Sequence, residues 1–304
     1  MSYRIAVLAK QVPDTKRITG KAMNDDGTVN RSALPAIFNP EDLNALETAL
    51  EIRERHGAEV TVISMGMPQA AELLREALYR GADRAILITD RRAAASDTLA
   101  TSYILACAVR KTGPYDIVLC GRQAIDGDTA QVGPQTAEKL GMTQITYVKR
   151  LEAVSGRTVR ARRSTGSGEE VVEADLPVLM TVTEEANEPR FASAKRLFKY
   201  KRARAVPEID SEVRAARPDA SDDEVKAEAA KRAAELEARG LLIRTMNLDD
   251  VEADLAWCGR DGSPTKVKRI QFIVLKGTGH KEVEPTEEGI AGLVHELIED
   301  HTIG

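Results

Sequence analysis

The richest set of ligand-binding residue types lies in residues 120–142, CGRQAIDGDTAQVGPQTAEKLGM. A helix is predicted to begin there near Val132 or Pro134, and backbone N–H groups at a helix start carry partial positive charge that can bind a pyrophosphate. The alternative is a structural loop in which Asp128 or Thr129 only caps the helix. The spacing is neither the dinucleotide-binding GxGxxG nor a P-loop. Three glycines would let the backbone approach a ligand, and polar residues precede the helix: Gly121, Gly127, Gly133, Asp128, Thr129 and Gln131.

A second polar loop, SDTLATS at residues 96–102, opens another predicted helix. Its hydroxyls and amides could reach the same crevice. These groups belong to Asp97, Thr98, Thr101 and Ser102. The alternative is that Ser96 or Asp97 only caps the helix.

No catalytic constellation accompanies these loops, because the four histidines are scattered and no GxSxG, HExxH or paired-cysteine motif occurs. The cysteines Cys107, Cys120 and Cys258 form no CxxC pair, so they are predicted to be buried small side chains rather than disulfide or metal ligands. A nucleotide site without catalytic side chains is typical of a redox carrier whose cofactor supplies the chemistry. Whether the chain is itself an enzyme therefore stays open.

Composition limits the other classes of function. With 304 residues, 42% of them hydrophobic and 30% charged, the chain can bury a globular core. A net charge of −5 argues against binding to nucleic acid. No run approaches the roughly 18 apolar residues of a membrane helix, and residues 1–12 do not resemble a signal peptide. We therefore expect no membrane insertion and a cytoplasmic location.

Strands and helices alternate along the first 120 residues and would position both loops. Apolar runs predict strands at 5–8, 60–64, 84–89 and 116–120, and helical spacing predicts helices at 40–56, 68–79 and 96–111. Such alternation indicates an α/β domain with a mainly parallel sheet covered by helices on both faces. Ligands bind such sheets at the carboxyl ends of the strands, here at residues 9–12, 64–68, 90–98 and 121–134.

The pattern changes in the rest of the chain. Alternating residues with turns at 155–156 and 166–168 predict an antiparallel hairpin over 147–172 that extends the sheet, followed by a strand at 178–183. The capping box Ser221–Glu224 predicts a surface helix over 222–239. Beyond residue 241, a strand at 269–275 and an amphipathic helix at 287–298 suggest an arm more than a domain.

Over nearly its whole length the sequence resembles the β subunit of electron transfer flavoproteins. The segments that carry the resemblance occur in the family's order and approximate spacing: VLAKQVPDT, FNPEDLNALETAL, SDTLATS, GRQAIDGDTAQVGP and NEPRFAS. The implied fold is a Rossmann-like α/β domain of the adenine nucleotide alpha hydrolase-like type. The implied domains are 1–206 for the nucleotide, including the hairpin 147–172 and a partner-recognition segment 187–201, then a helical insertion 207–240, and an arm 241–304 that contacts the α subunit.

Two groups of the family differ in the nucleotide that this subunit holds. Conventional members hold a structural AMP, whereas members of the electron-bifurcating group bind a second FAD and receive hydride from NADH. Here GDTAQVGP at 127–134 is similar to the bifurcating pattern, and GSPT at 262–265 also resembles that group. The helical insertion and the hairpin turn RRSTGSG, which replaces the family's usual acidic-Gly-Gly turn, are departures from the pattern.

The resemblance therefore implies a heterodimer whose β subunit binds FAD and takes electrons from NADH. The electrons would pass to ferredoxin or flavodoxin and, through the FAD of the α subunit, to an acyl-CoA dehydrogenase or a quinone-linked partner. One alternative is a conventional electron carrier with AMP in this subunit. Another is a non-redox adenine-nucleotide-binding protein of the universal-stress type, which leaves NEPRFAS and the arm unexplained.

Carried over by position, two sets of contacts follow from the resemblance. The nucleotide contacts are Ala9, Asn39, Ser64, Met65, Gly66, Asp97, Thr98, Thr101, Cys120, Gly121, Arg122, Gln123, Asp128, Thr129, Ala130, Gln131, Val132 and Gly133. The partner contacts are Arg190, Ala194, Lys195 and Leu197.

Overall fold

The structure is a computed structural model that describes residues 2–14, 34–266 and 281–299. The strand predicted at 269–275 lies outside the described residues. Twelve strands are present in the described ranges: β1 (Arg4–Leu8), β2 (Gln11–Pro13), β3 (Ala36–Phe38), β4 (Glu59–Met65), β5 (Arg84–Ile88), β6 (Ile117–Gly121), β7 (Thr143–Ser155), β8 (Thr158–Ser164), β9 (Glu169–Asp175), β10 (Val178–Val182), β11 (Arg204–Ala205) and β12 (Leu242–Met246).

Ten of these strands form one sheet in the order β11-β12-β5-β4-β1-β6-β10-β7-β8-β9, while β2 and β3 pair separately as an antiparallel ribbon. Pairing is parallel from β11 through to β7 and antiparallel from β7 to β9. The α/β fold with a mainly parallel sheet is therefore confirmed. The carboxyl ends of β1, β4, β5, β6 and β10 consequently meet at one edge of the sheet.

Helices cover both faces of the sheet. The helices of the described ranges are α1 (Pro40–His56), α2 (Ala71–Arg80), α3 (Thr98–Thr112), α4 (Val132–Leu140), α5 (Ala194–Tyr200), α6 (Val206–Ala216), α7 (Asp222–Ala238), α8 (Gly259–Gly262) and α9 (Glu287–Glu299), of which α9 has no buried residue. Along β1, Ile5 and Val7 pack in the cluster with α1 and α2, whereas Ala6 and Leu8 pack with α3 on the opposite face. Successive side chains of a strand point to opposite faces, so burying both faces requires the continuous apolar run that predicted this strand.

The hairpin prediction is confirmed, because β7, β8 and β9 form an antiparallel extension of the main sheet. The predicted helix behind Ser221 is also present, and both bonds of its capping box form. Its exposed face is broad, but Val225 and Ala229 are buried against Ile209 and Val213 of α6.

Helix α6 lies in the predicted helical insertion 207–240, which contains two helices, α6 and α7. Strand β12 was not predicted, and it pairs with β5 although it belongs to the segment interpreted as an arm. This five-residue strand is too short to show a clear periodicity before its neighbours β11 and β5 are known. The division of the chain into domains stays a prediction.

The start of α4 packs tightly on the sheet at Gly133. A Cβ added there would lie 2.6 Å from Thr181 Cγ2 and 2.9 Å from Cys120 Sγ. Helix-to-sheet packing therefore requires a glycine here, and the interpretation that Gly133 also makes room for a ligand stays a prediction. A Cβ on Gly127 would meet no atom within 4 Å.

We expect Gly133→Ala to lower the free energy of unfolding by about 1–3 kcal/mol, the usual cost of overpacking a core. Gly127→Ala is the matched control and should change it by less than about 0.5 kcal/mol. Urea denaturation of the purified protein measures both values. Equal effects of the two substitutions would contradict the packing explanation.

Candidate functional site

A crevice of about 620 Å³ opens at the carboxyl ends of β1, β4 and β6, between the starts of α3 and α4. It is lined by all but three of the residues predicted to contact a nucleotide. Those lining it are Ala9, Met65, Asp97, Thr98, Thr101, Cys120, Gly121, Arg122, Gln123, Asp128, Thr129, Ala130, Gln131, Val132 and Gly133. The structure thus brings together loops that are more than a hundred residues apart in the sequence.

The three other predicted residues lie behind the crevice wall. Ser64 is fully buried in β4, and its Oγ has no hydrogen-bond partner. The N–H of Gly66 donates to the carbonyl of Ile88 at 3.0 Å. Asn39 is fully buried and bonds to the chain itself. None of the three residues lines the crevice.

Asn39 holds the loop that follows β6. Its Nδ2 donates to the carbonyl of Gln123 at 2.8 Å, and its Oδ1 accepts from the N–H of Ile125 at 3.1 Å. Two residues further on, the buried Glu41 accepts from the N–H of Gln123 at 2.9 Å and forms an ion pair with Arg122 at 2.9 Å. The start of α1 therefore binds the crevice loop through several bonds to its backbone.

Asp42 makes the most buried of these contacts. One carboxylate oxygen accepts from the N–H of Gly121 at 2.7 Å, and the other accepts from the N–H of Lys10 at 2.8 Å. Burial raises the pKa of Asp42 to about 7, although both N–H groups oppose the rise. A Cβ on Gly121 would lie 2.6 Å from Asp42 Oδ1, so this glycine is needed for close approach to the carboxylate.

Glu41 and Asp42 were not predicted to act at the site. They belong to the motif FNPEDLNALETAL, but acidic residues just after a helix-starting proline ordinarily serve the first turn of their own helix. Only the position of the loop after β6, which becomes known from the fold, reveals their partners.

Residues 128–131 have an unusual backbone. The φ angles of Asp128 and Ala130 are 49° and 53°, in the left-handed region, whereas Gln131 is right-handed. Alternation of this kind turns successive N–H groups into a concavity that attracts anions. The carboxylate of Asp128 accepts from Gln123 Nε2 at 2.9 Å. The concavity therefore lies at the start of α4 and faces the crevice.

The capping alternative for this loop is not found. The residue before α4 is Gln131, and it makes no side-chain bond to the first turn of the helix. Its Oε1 accepts instead from the hydroxyl of Thr98 at 2.8 Å. The first N–H groups of α4 thus have no capping side chain and are available to an anion.

At the other loop, Asp97 does cap α3, accepting from the N–H of Ala100 at 2.9 Å. Its second carboxylate oxygen accepts from the N–H and the hydroxyl of Thr265, at 3.0 and 2.7 Å. Partial burial alone would raise the pKa of Asp97, but these hydrogen bonds outweigh it and lower the pKa. Asp97 therefore fastens the segment 263–265 to the crevice, where Thr265 forms part of the wall.

Two polar side chains of the crevice, those of Lys10 and Cys120, are held in place by an ion pair or by burial. Lys10 is paired with Asp126 at 2.7 Å, and burial raises the pKa of the Cys120 thiol far above its usual range. Among the described residues, no cluster of histidine, cysteine and acidic side chains could hold a metal ion. The arrangement can bind an anionic ligand through backbone N–H groups.

The predicted partner contacts lie elsewhere, on and before α5. Ala194, Lys195 and Leu197 are exposed, beside Phe191 and Phe198. Arg190 instead forms ion pairs within the chain, because its guanidinium pairs with Glu47 at 2.8 Å and with Glu54.

Arg196 is also a structural contact. Its guanidinium donates to the carbonyls of Leu78 and Ala82, which anchors α5 to the end of α2. Charge changes at Lys195 therefore test docking more cleanly than changes at Arg196.

Comparison with known proteins gives one family. The electron transfer flavoprotein domain matches residues 26–237. An electron transfer flavoprotein subunit beta from Clostridium acetobutylicum is 43% identical, over 98% of this chain and 99% of its own length. The caffeyl-CoA reductase-Etf complex subunit CarD of Acetobacterium woodii is 38% identical, over 99% of this chain and 100% of its own length.

The acryloyl-CoA reductase electron transfer subunit gamma of Anaerotignum propionicum is 36% identical, over 99% of this chain and 100% of its own length. Within the described ranges, no helix has both the length and the apolar character needed to cross a bilayer.

Replacing Asp42 by Asn should disturb the crevice. The amide has one oxygen and one NH2 group, so one of the two backbone N–H groups from Lys10 and Gly121 would face another donor. We expect Asp42→Asn to lower the free energy of unfolding by about 1–3 kcal/mol, the cost of a buried unsatisfied donor. Glu51→Gln, which removes the charge of a surface pair on the same helix, is the control and should change it by less than about 1 kcal/mol.

The pH dependence of this difference is part of the same prediction. Because the pKa of Asp42 is raised on folding, its contribution to stability is present below the unfolded value and is lost as pH rises through about 7. The stability gap between the parent and Asp42→Asn should therefore shrink from about pH 5 to about pH 8. Urea denaturation across this range measures the gap, and a widening gap would contradict the assignment.

Proposed function

The chain belongs to the electron transfer flavoprotein family, and from this premise we propose that it is a β subunit that binds FAD in its crevice and accepts electrons from NADH. Bound FAD would supply the chemistry, taking up hydride and passing electrons onward. The residues of the chain bind and orient the cofactor and contribute no nucleophile or general base. This division of labour is usual for cofactor-dependent redox proteins.

The donor groups of the crevice fit a diphosphate. The N–H groups at the start of α4 have no capping side chain, and the left-handed residues Asp128 and Ala130 shape an anion-binding concavity beside them. The nearest carboxylate, that of Asp128, is held by Gln123 Nε2. Thr129 is exposed and lines the crevice, where its hydroxyl is available to a phosphate oxygen.

The observation that carries the proposal is the length of the crevice, which runs from this anion site at the start of α4 to the segment after β5. Its lining residues follow β4, β1 and β6 and include the segment after β5, so it crosses the ends of four neighbouring strands, roughly 14 Å at the usual strand spacing. AMP has a single phosphate, with all its remaining atoms on one side. A dinucleotide places groups on both sides of its diphosphate and would use the whole crevice.

The meeting of two sequence motifs also supports FAD. GDTAQVGP at 127–134 and GSPT at 262–265 resemble the electron-bifurcating group, and residues of both segments line the same crevice. Asp97 joins them physically, because it caps α3 and holds Thr265. The alternative is a conventional electron carrier, in which AMP rather than FAD would occupy this crevice.

We further propose the partners that this function needs. An α subunit carrying its own FAD would receive electrons and pass them to an acyl-CoA dehydrogenase or a quinone-linked partner, and ferredoxin or flavodoxin would be the low-potential acceptor. Helix α9 exposes the apolar side chains Ile290, Leu293, Val294 and Ile298, a stripe suited to contact with the α subunit. The exposed Lys195 and Leu197 of α5 are suited to docking of the dehydrogenase.

A bulky side chain at position 129 tests the occupant. In the purified heterodimer, Thr129→Trp should block the crevice, remove one of two FAD molecules and lower NADH oxidation by about tenfold or more. Thr143→Trp is the matched control, because Thr143 is an exposed threonine at the opposite edge of the sheet. Flavin stoichiometry and NADH oxidation are the measurements. Full flavin content together with full NADH oxidation in Thr129→Trp would contradict the proposal.

A further inference from the structure

Tyr147 occupies a costly backbone conformation in strand β7. Its φ angle is 58°, in the left-handed region that aromatic residues rarely adopt. The register between β7 and β10 shifts at this point, and the N–H of Tyr147 donates to Thr181 Oγ1 at 3.0 Å. Such strain is retained mainly where a side chain must be held in a particular place. The bulge leaves the Tyr147 side chain 38% exposed.

The ring of Tyr147 is connected to the crevice through Arg122. The guanidinium carbon of Arg122 lies 5.7 Å from the centroid of the ring, and the guanidinium pairs with the buried Glu41 at 2.9 Å. Arg122 itself lines the crevice, and its N–H donates to the carbonyl of Val182 at 2.9 Å. Its Nε is buried and has no hydrogen-bond partner, so its present arrangement leaves a donor unused.

The order of strands places Tyr147 beyond one end of the crevice. Met65 and Asp97 lie at the end near β4 and β5, whereas β10 and β7 lie on the far side of β6. Val148 pairs with Val182, which itself pairs with Gly121, so Tyr147 stands at the same edge of the sheet as the crevice.

The two ends differ in chemistry. The end near α3 offers the hydroxyls of Thr98, Thr101 and Thr265, which suit the ribose of an adenosine. The other end offers the guanidinium of Arg122, and the exposed ring of Tyr147 lies just beyond it, 5.7 Å from the guanidinium carbon; together they suit a flat heteroaromatic group. AMP fills the first end and the anion site but has no group for the second.

We propose that Tyr147 is the specificity-determining residue that favours FAD over AMP in this crevice, because its ring packs against the flat redox ring of the cofactor. Arg122, held by Glu41, is the positioning residue that keeps the tyrosine ring at the end of the crevice. The inference rests on the proposed function and identifies the group that recognises the redox half of the cofactor. A purely structural residue at this bulge would be an asparagine or glycine, which adopt the left-handed backbone at lower cost.

The test measures affinities for FAD and for AMP separately, by calorimetric titration of the nucleotide-free heterodimer. Tyr147→Asn tolerates the backbone conformation and should be as stable as the parent, yet it should weaken FAD binding about tenfold and leave AMP binding within about twofold. The visible spectrum of the FAD bound there should also change. Tyr147→Phe keeps the ring and should restore both the affinity and the spectrum.

Val171→Asn is the matched control, because Val171 is equally exposed, at 38%, on strand β9 outside the crevice. If Tyr147→Asn does not fold, Tyr147→Gly removes the backbone strain and provides the same comparison. Unchanged FAD affinity, or an equal loss of FAD and AMP affinity, would overturn the inference and leave the proposed function standing. If Tyr147→Asn raises the KM for NADH and leaves the FAD affinity unchanged, the tyrosine ring contacts NADH rather than FAD. That result would also overturn the inference. A parent protein that takes up AMP but no second FAD would overturn both.

Discussion

Two backbone N–H groups, from Lys10 and Gly121, converge on the buried carboxylate of Asp42, and the geometry of the crevice depends on that contact. It joins the loop after β1 to the loop after β6, two loops that are far apart in the sequence but follow neighbouring parallel strands. Asn39 and Glu41 extend the contact along the loop after β6 as far as Ile125. Because all three residues belong to the first turn of α1 or precede it, the position of one helix start determines the shape of the site.

A crevice built in this way is ordered before any ligand arrives. The polar side chains around it are largely committed to the chain: Asp97 to Thr265, Asp128 to Gln123, and Lys10 to Asp126. The backbone N–H groups at the start of α4 and a few hydroxyl groups remain able to bind a ligand. Hydrogen-bond donors that are already in place lose less conformational entropy when a ligand binds. Backbone N–H donors at a helix start favour a ligand that carries phosphate. A redox cofactor needs a site of this kind, since the cofactor itself carries the electrons.

Much of this could be predicted from the sequence. Buried parallel strands are continuous apolar runs, and α1 begins at Pro40 and is capped by Gly57, so the central strands β1, β4, β5 and β6 and the loops at their carboxyl ends were predicted correctly. Partners distant in sequence could not be predicted. Gly133 was assigned to ligand approach because nothing local shows that Thr181 lies above it, and Asp42 was overlooked because its two partners lie in other loops. The positive φ of Tyr147 is equally invisible, since the sequence around it is that of an ordinary strand.

The central claim is that this β subunit holds a dinucleotide rather than a mononucleotide. The most direct measurement is to denature the purified heterodimer, separate the released nucleotides and quantify FAD and AMP per heterodimer. Two FAD molecules and no AMP is the result that the account predicts, because only FAD occupies both ends of the crevice. One FAD and one AMP would contradict it and would make this chain the subunit of a conventional electron carrier.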